Sequence, residues 1–213
     1  MFTHPEYKYV FENIPENVVT KTKTLIETHG IEVSARILGY DTENYDTLIV
    51  AGRLLMFDLR RKCPLNILEY IEELKEKLQP KYYQFMKDNA IALQVEIDKR
   101  VSSDYNHDFF SANAMIKTYL SKVPFDNSVI EIPQMCYMRL AVQLHFDTSL
   151  EMVIQEYINM SEMWYTHASP TIFNSCFKKN ALSSCFLMDV EDDLEDILST
   201  SIHDSGMISS ASG

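Results

Sequence analysis

The sequence predicts a mainly α fold: a helical domain through about residue 165, then a different pattern. Three observations lead there. Apolar residues recur at helical spacing through the first two thirds of the chain. Glycine is scarce, with five among 213 residues, as suits stacked helices with short connections. Proline and glycine also stand where helices start and stop, because proline fixes φ without needing its N–H while glycine tolerates the reversal that follows a last turn.

Taken in order, Pro15 and Gly30 bracket the helical run IPENVVTKTKTLIETHG. In NYDTLIVAGRLLMFDLRRKCP, Leu48, Ala51, Leu55 and Leu59 fall on one face and Pro64 ends the helix. Helices over about 65–78 and 81–99 follow, separated by Gln79 and Pro80. SSDYNHDFF reads as a turn, SANAMIKTYL resumes the helical period, and VPFDNSVIEIP offers two short β-type runs around Asp126, Asn127 and Ser128, a hairpin signal confined to about residues 119–132. Pro133 opens PQMCYMRLAVQLHF, with Pro133, Gln134 and Arg139 orienting that helix in the scaffold, and Thr148 with Glu151 forms a capping box for SLEMVIQEYINMSEMWYT. After Ser169 and Pro170, the residues Ser184, Cys185, Phe186, Leu187 and Met188 read as a brief apolar strand, and Asp192 with Glu195 as the cap of a final helix. ISSASG is a helix feeding small residues, so the expectation is of the front part of a larger protein or one half of a split one.

Composition narrows the function. The chain is 46% hydrophobic and 23% charged, with a formal net charge of -12. That charge argues against non-specific binding to nucleic acid or to anionic lipid, both of which need clustered Lys and Arg. The best basic run, Arg60, Arg61 and Lys62, is short. No leader pattern opens the sequence and no stretch reaches the roughly 18 apolar residues of a spanning helix, so a soluble, cytoplasmic protein is expected. The four cysteines, Cys63, Cys136, Cys176 and Cys185, lack C-x-x-C spacing; they suit a reducing compartment, with no disulfide framework and no zinc site.

The chemistry concentrates in HASPTIFNSCFKKNALSSCFLMDVEDDLEDILST, where two Ser-Cys pairs precede six carboxylates within residues 189–196. Crowded carboxylates repel a thiolate, so thiol and acids are read as serving different ligands. A calcium loop is disfavoured because the acidic run lacks the turn glycine and the alternating ligands. Taken singly, Cys185 is a small buried hydrophobe on a strand, Ser169 and Ser184 are turn or cap residues, and the acids are a solvated face at a helix N-terminus. His145 and His167 have no partner at metal spacing, and Met135, Met138, Met152, Met160 and Met163 read as core filling.

P-Q-M-C-Y-M-R, THASPT, L-S-S-C-F-L and D-D-L-E-D-I, in this order and at these separations, resemble the large subunit of ribonucleotide reductase, nearest to its diphosphate-reducing eukaryotic and viral form. The resemblance runs from about Tyr45 onward and is closest over residues 131–200. It implies a helical N-terminal domain over 45–165, preceded by a short extension over 1–44, and the first strand and helix of a ten-stranded α/β barrel over 166–213. It implies that Cys185 is one of two thiols that become a disulfide as the ribose 2′ position is reduced. By the same resemblance Ala168, Ser169, Ser184 and Gly213 line the substrate pocket, with the serines holding phosphate partly through main-chain N–H groups, which small residues allow an anion to approach. Asp192, Asp193 and Leu194 match positions that contact a deoxynucleoside triphosphate effector, where a carboxylate accepts hydrogen bonds from ribose hydroxyls.

The resemblance further implies a ribonucleoside diphosphate substrate, a small subunit that supplies the radical, and a homodimer in the complete protein, with no cofactor or metal held by this segment itself. The radical-forming cysteine with its Asn and Glu partners, the second thiol, the radical-passing tyrosines and the C-terminal cysteine tail are expected beyond Gly213, so this segment alone is expected to be inactive. Three departures stand out. NSCFKK replaces the usual N-A-G-T type, SASG replaces S-A-G-G or S-G-G-G, and the ATP-cone signature is absent from the roughly 45 leading residues, half the length of a small domain. Overall control by ATP and dATP is therefore not expected. The lost glycines, which permit positive φ and close backbone approach, also raise the alternative of a non-catalytic helical interaction or regulatory module derived from the same fold.

Overall fold

The computed structural model describes residues 2–123, 126–178 and 181–212. The fold is helical: α1 (Tyr7–Val10), α2 (Glu16–His29), α3 (Ile31–Gly39), α4 (Tyr45–Lys62), α5 (Ile67–Leu74), α6 (Pro80–Asp88), α7 (Ala90–Asp98), a 3-10 turn (Val101–Asn106), α8 (Phe109–Ala114) running into a π turn (Met115–Tyr119), α9 (Pro133–His145), α10 (Leu150–Ser161), α11 (Ser169–Asn174), α12 (Leu194–Leu198), a second π turn (Ser199–Asp204) and α13 (Ser205–Ser212). Among the described residues the only β pairing is two isolated bridges, Leu78 with Phe177 and Lys122 with Val129. No described helix is long and apolar enough to cross a membrane.

Two helices act as hubs. α4 packs against α1, α2, α3, α8 and the 3-10 turn, while α9 packs against α6, α7, α10, α11 and the same turn. The face expected for α4 is buried at Leu48, Ala51 and Leu59, and Leu55 packs on it partly buried. Val50, Leu54, Met56 and Phe57 are buried as well, because α4 has neighbours on several sides. Each such leucine or phenylalanine contributes about 1.5–3 kcal/mol relative to an exposed one. One continuous core takes in Tyr7, Val10, Ile26 and Leu38 ahead of α4 and reaches as far as Cys176.

The 3-10 turn joins the hubs through Asp104, fully buried, which accepts hydrogen bonds from Arg60 of α4 and from the Gln134 N–H of α9. Arg60 also pairs with Glu6 at 3.0 Å and so ties α1 to the same point. Burial raises Asp104 to about 6 despite the Arg60 guanidinium.

Local signals mark several helix ends. Pro15 and Gly30 flank α2, Pro133 opens α9, and Asn66 caps α5 by accepting from the Leu68 and Glu69 N–H groups. Five readings need correction. The helix expected over about 65–78 spans only Ile67–Leu74 and gives way to turns before Leu78. The helix expected over 81–99 is broken at Asn89, whose side-chain amide donates to the Phe85 carbonyl at 2.9 Å; this local bond competes with helix continuation. The cap of α10 is Ser149 rather than Thr148: Ser149 has the extended backbone a cap requires and its hydroxyl accepts from the Met152 N–H, whereas Thr148 donates back to His145. Likewise Asp193, rather than Asp192, caps α12. Finally, Ser184, Cys185, Phe186, Leu187 and Met188 form no strand; a strand needs a neighbour for its N–H and C=O groups, and these residues are exposed with none alongside.

The hairpin signal is met by the Lys122 and Val129 bridge, with Ser121 and Ile130 joined at 3.0 Å and Asn127 at φ 56° in the turn. Asparagine is among the residues that tolerate that conformation.

Candidate functional site

α11 carries the first part of the site. Ala168, exposed, is its N-cap residue and Pro170 lies in its first turn. Ser169, half-buried, places its hydroxyl 3.4 Å from the Tyr119 hydroxyl, and the Tyr119 ring stacks on Phe173 at 5.3 Å. The other end of α11 is held from the core. The Arg139 guanidinium donates to the carbonyls of Ile172 at 2.8 Å and Ser175 at 3.3 Å, and Gln143 accepts from the Cys176 N–H at 2.7 Å. Gln79 donates its backbone N–H to the Cys176 carbonyl at 2.9 Å.

These bonds hold Cys176 at φ 74°, a left-handed conformation unusual for a side-chain-bearing residue. Cys176 thus holds a backbone form that glycine favours.

The chain then returns along α11. Asn174 donates to the Ala181 carbonyl at 2.7 Å and Thr171 to the Leu182 carbonyl at 3.2 Å. Across these two bonds the residue number rises on one side as it falls on the other, so residues 181 and 182 run antiparallel to α11. Ser184 and Cys185, which follow, are exposed. Cys63, Cys136 and Cys176 are buried; burial pushes the thiols of Cys63 and Cys176 up to about 12 and that of Cys136 higher still.

Asp192, Asp193 and Leu194 sit apart, exposed at the start of α12. Asp193 accepts from the Glu195 and Asp196 N–H groups at 2.9 and 3.1 Å, so at least one acid of the block is occupied with its own helix. Gly213 lies outside the described residues. The sequence reading placed Arg139 in the scaffold but missed its hold on α11, and it missed Glu131, Gln143, Gln79, Tyr119 and, before α11, Glu156. The one available signal was polar residues on an otherwise apolar helix, at Arg139 and Gln143 of α9.

The sequence that builds this helical region matches a known class. Residues 105–180 match the family described as the ribonucleotide reductase all-alpha domain. The chain is 29% identical over 192 residues to the ribonucleoside-diphosphate reductase large subunit of Vaccinia virus, covering 84% of this chain and 24% of that protein. It is 37% identical over 194 residues to the large subunit of Arabidopsis thaliana, covering 85% and 23%, and 28% identical over 200 residues to that of Plasmodium falciparum, covering 88% and 24%. Over most of its length the chain is similar to ribonucleotide reductase large subunits, and it spans about a quarter of the length of these relatives.

Proposed function

We propose that the chain is the N-terminal part of a ribonucleoside-diphosphate reductase large subunit, and that it supplies one reductant thiol, part of the substrate-phosphate site and part of an effector site. Cys185 gives one of two thiols whose oxidation to a disulfide provides two electrons and two protons, while the ribose 2′-hydroxyl leaves as water. The second thiol comes from elsewhere in the complete enzyme, and a small subunit generates the radical that starts the reaction. Ser169 and Ser184 take the substrate phosphates, with Ala168 beside them and Gly213 lining the same pocket. Asp192, Asp193 and Leu194 meet the deoxynucleotide effector across a homodimer. Residues 184–188 pair as the first strand of the α/β barrel once partner strands are present.

The observation that carries this reading is the contrast among the thiols. Cys185 is exposed three residues beyond the segment that α11 holds at Ala181 and Leu182, while Cys63, Cys136 and Cys176 are buried. A disulfide needs its sulfurs to meet with Cα atoms within roughly 7 Å, and only an accessible thiol can be reached by a partner from outside this segment.

Cys185→Ser in the full-length enzyme tests it. Substrate binding is expected to persist, and multiple turnovers to stop, because a hydroxyl cannot form the disulfide. Sustained turnover by the serine variant would overturn the assignment. A wild type with no substrate-dependent thiol loss would favour the non-catalytic module.

A further inference from the structure

We infer that Glu156 is a positioning residue for the substrate-phosphate turn, fixing the link that delivers Ala168 and Ser169 to the start of α11; the inference rests on the phosphate-site reading above. Glu156 projects from α10 and its side chain is 13% exposed. One carboxylate oxygen lies 2.8 Å from His167 Nε2, and the other accepts from the Tyr165 hydroxyl at 2.5 Å. His145 Nε2, from the end of α9, is 3.8 Å from that second oxygen.

Tyr165 and His167 are two residues apart, so an extended link presents both on one side, and their rings meet edge to face at 5.7 Å. The link leaves α10 through Met163 at φ 60°, with the Trp164 N–H on the Asn159 carbonyl at 3.0 Å. A single carboxylate thus grips the last residue before Ala168 and another two before that. Beyond the turn, Arg139 and Gln143 hold the far end of α11. With both sides fixed, the phosphate-facing hydroxyl and main-chain groups have one location.

Burial pushes the Glu156 carboxyl up, but the hydrogen bonds from Tyr165 and His167 and the nearby histidine charges outweigh it and leave the group below its ordinary value. The carboxylate is therefore ionised and a strong acceptor. No group of three His, Cys, Asp or Glu side chains among the described residues is arranged to hold a metal ion, so the three partners of Glu156 are read as hydrogen-bonding and charge partners.

A merely structural role would change stability alone, whereas a positioning role changes the Michaelis constant for the diphosphate. The experiment measures kcat and KM for CDP in the full-length enzyme carrying Glu156→Ala, Glu156→Gln or Ser169→Ala, with thermal unfolding of each. Glu156→Ala is expected to raise KM about 10-fold with kcat within about 2-fold, the pattern of lost uniform binding. Glu156→Gln, which keeps an acceptor, should stay within about 3-fold of wild type. Ser169→Ala separates the two readings. If it raises KM and Glu156→Ala does not, the positioning role is overturned and the phosphate site stands. If neither variant raises KM, both fall. If Glu156→Ala alone raises KM, Glu156 acts by another route and the inference fails. Should Glu156→Ala not fold, Tyr165→Phe removes one hydrogen bond to the same carboxylate and is judged by the same KM criterion.

Discussion

Arg139 and Glu131 form a two-point ion pair inside the core, with Nε to Oε1 at 2.7 Å and Nη2 to Oε2 at 3.1 Å, their side chains 1% and 0% exposed. Tyr70 donates to the same carboxylate, and Glu131 also accepts from the Ser121 N–H at 2.9 Å. The pair therefore joins α5, the hairpin, α9 and, through Arg139, α11. Removing one partner strands the other charge away from water. Arg139→Leu or Glu131→Leu is expected to cost about 3–5 kcal/mol, and the double variant less than the sum of the two. Urea unfolding of the three variants checks this, and strict additivity would contradict it.

Cys176 reverses a usual order of substitutions. Truncating a buried side chain is normally worse when carried to glycine than to alanine, since glycine also frees the unfolded chain. At φ 74°, alanine keeps the backbone strain and glycine relieves roughly 1–2 kcal/mol of it. Cys176→Gly is expected to be more stable than Cys176→Ala in chemical denaturation. A glycine variant that unfolds first would show that the bonds from Gln143 and Gln79, rather than strain, dominate this position.

Gly52 lies inside α4, where alanine ordinarily stabilises a helix by about 1 kcal/mol. Here a Cβ would overlap the His107 carbonyl and the Asp108 backbone, neither of which can rotate aside. Gly52→Ala should instead destabilise by about 1–3 kcal/mol as the 3-10 turn and the start of α8 are pushed off α4. A thermal midpoint at or above wild type would refute the close approach.

Glu6 gives the N-terminal helix a pH response. Burial raises its carboxyl, but the hydrogen bonds from Arg60 and Tyr105 and the Arg60 charge prevail and leave it below the ordinary 4.5. A carboxyl depressed on folding contributes stability that is present above its unfolded value and is lost as pH falls through the folded one. Amide exchange at Tyr9 and Phe11 of the α1 region is therefore expected to accelerate as pH drops below 4.5, relative to core amides at the same pH. In Glu6→Gln that acid-dependent change should vanish, and an unchanged pH profile would exclude Glu6 as its source.

The candidate site was legible only in part. The order of Ala168, Ser169, Ser184 and Cys185 could be read because they sit in short contiguous patterns. Their supports could not, because Arg139 answers carbonyls 33 and 36 residues away and Glu156 answers a link 9 to 11 residues on. Backbone carbonyls have no letter in a sequence, so no pattern announces such partners. Exposure of Cys185 against burial of the other thiols was equally invisible, since it depends on which segments pack over each sulfur.

By itself the sequence determined the helical class, the ends of α2 and α9, and the hairpin's place, because apolar period, proline, glycine and capping act within a turn or two of chain. The tertiary structure alone decided the rest: that α4 and α9 are hubs, that Asp104 joins them, and that Cys176 holds a glycine's backbone form. Each depends on groups far apart in sequence, such as Glu6 with Arg60 and Gln79 with Cys176. Buried polar groups must find partners wherever folding brings them, and only the packed chain fixes which partners those are.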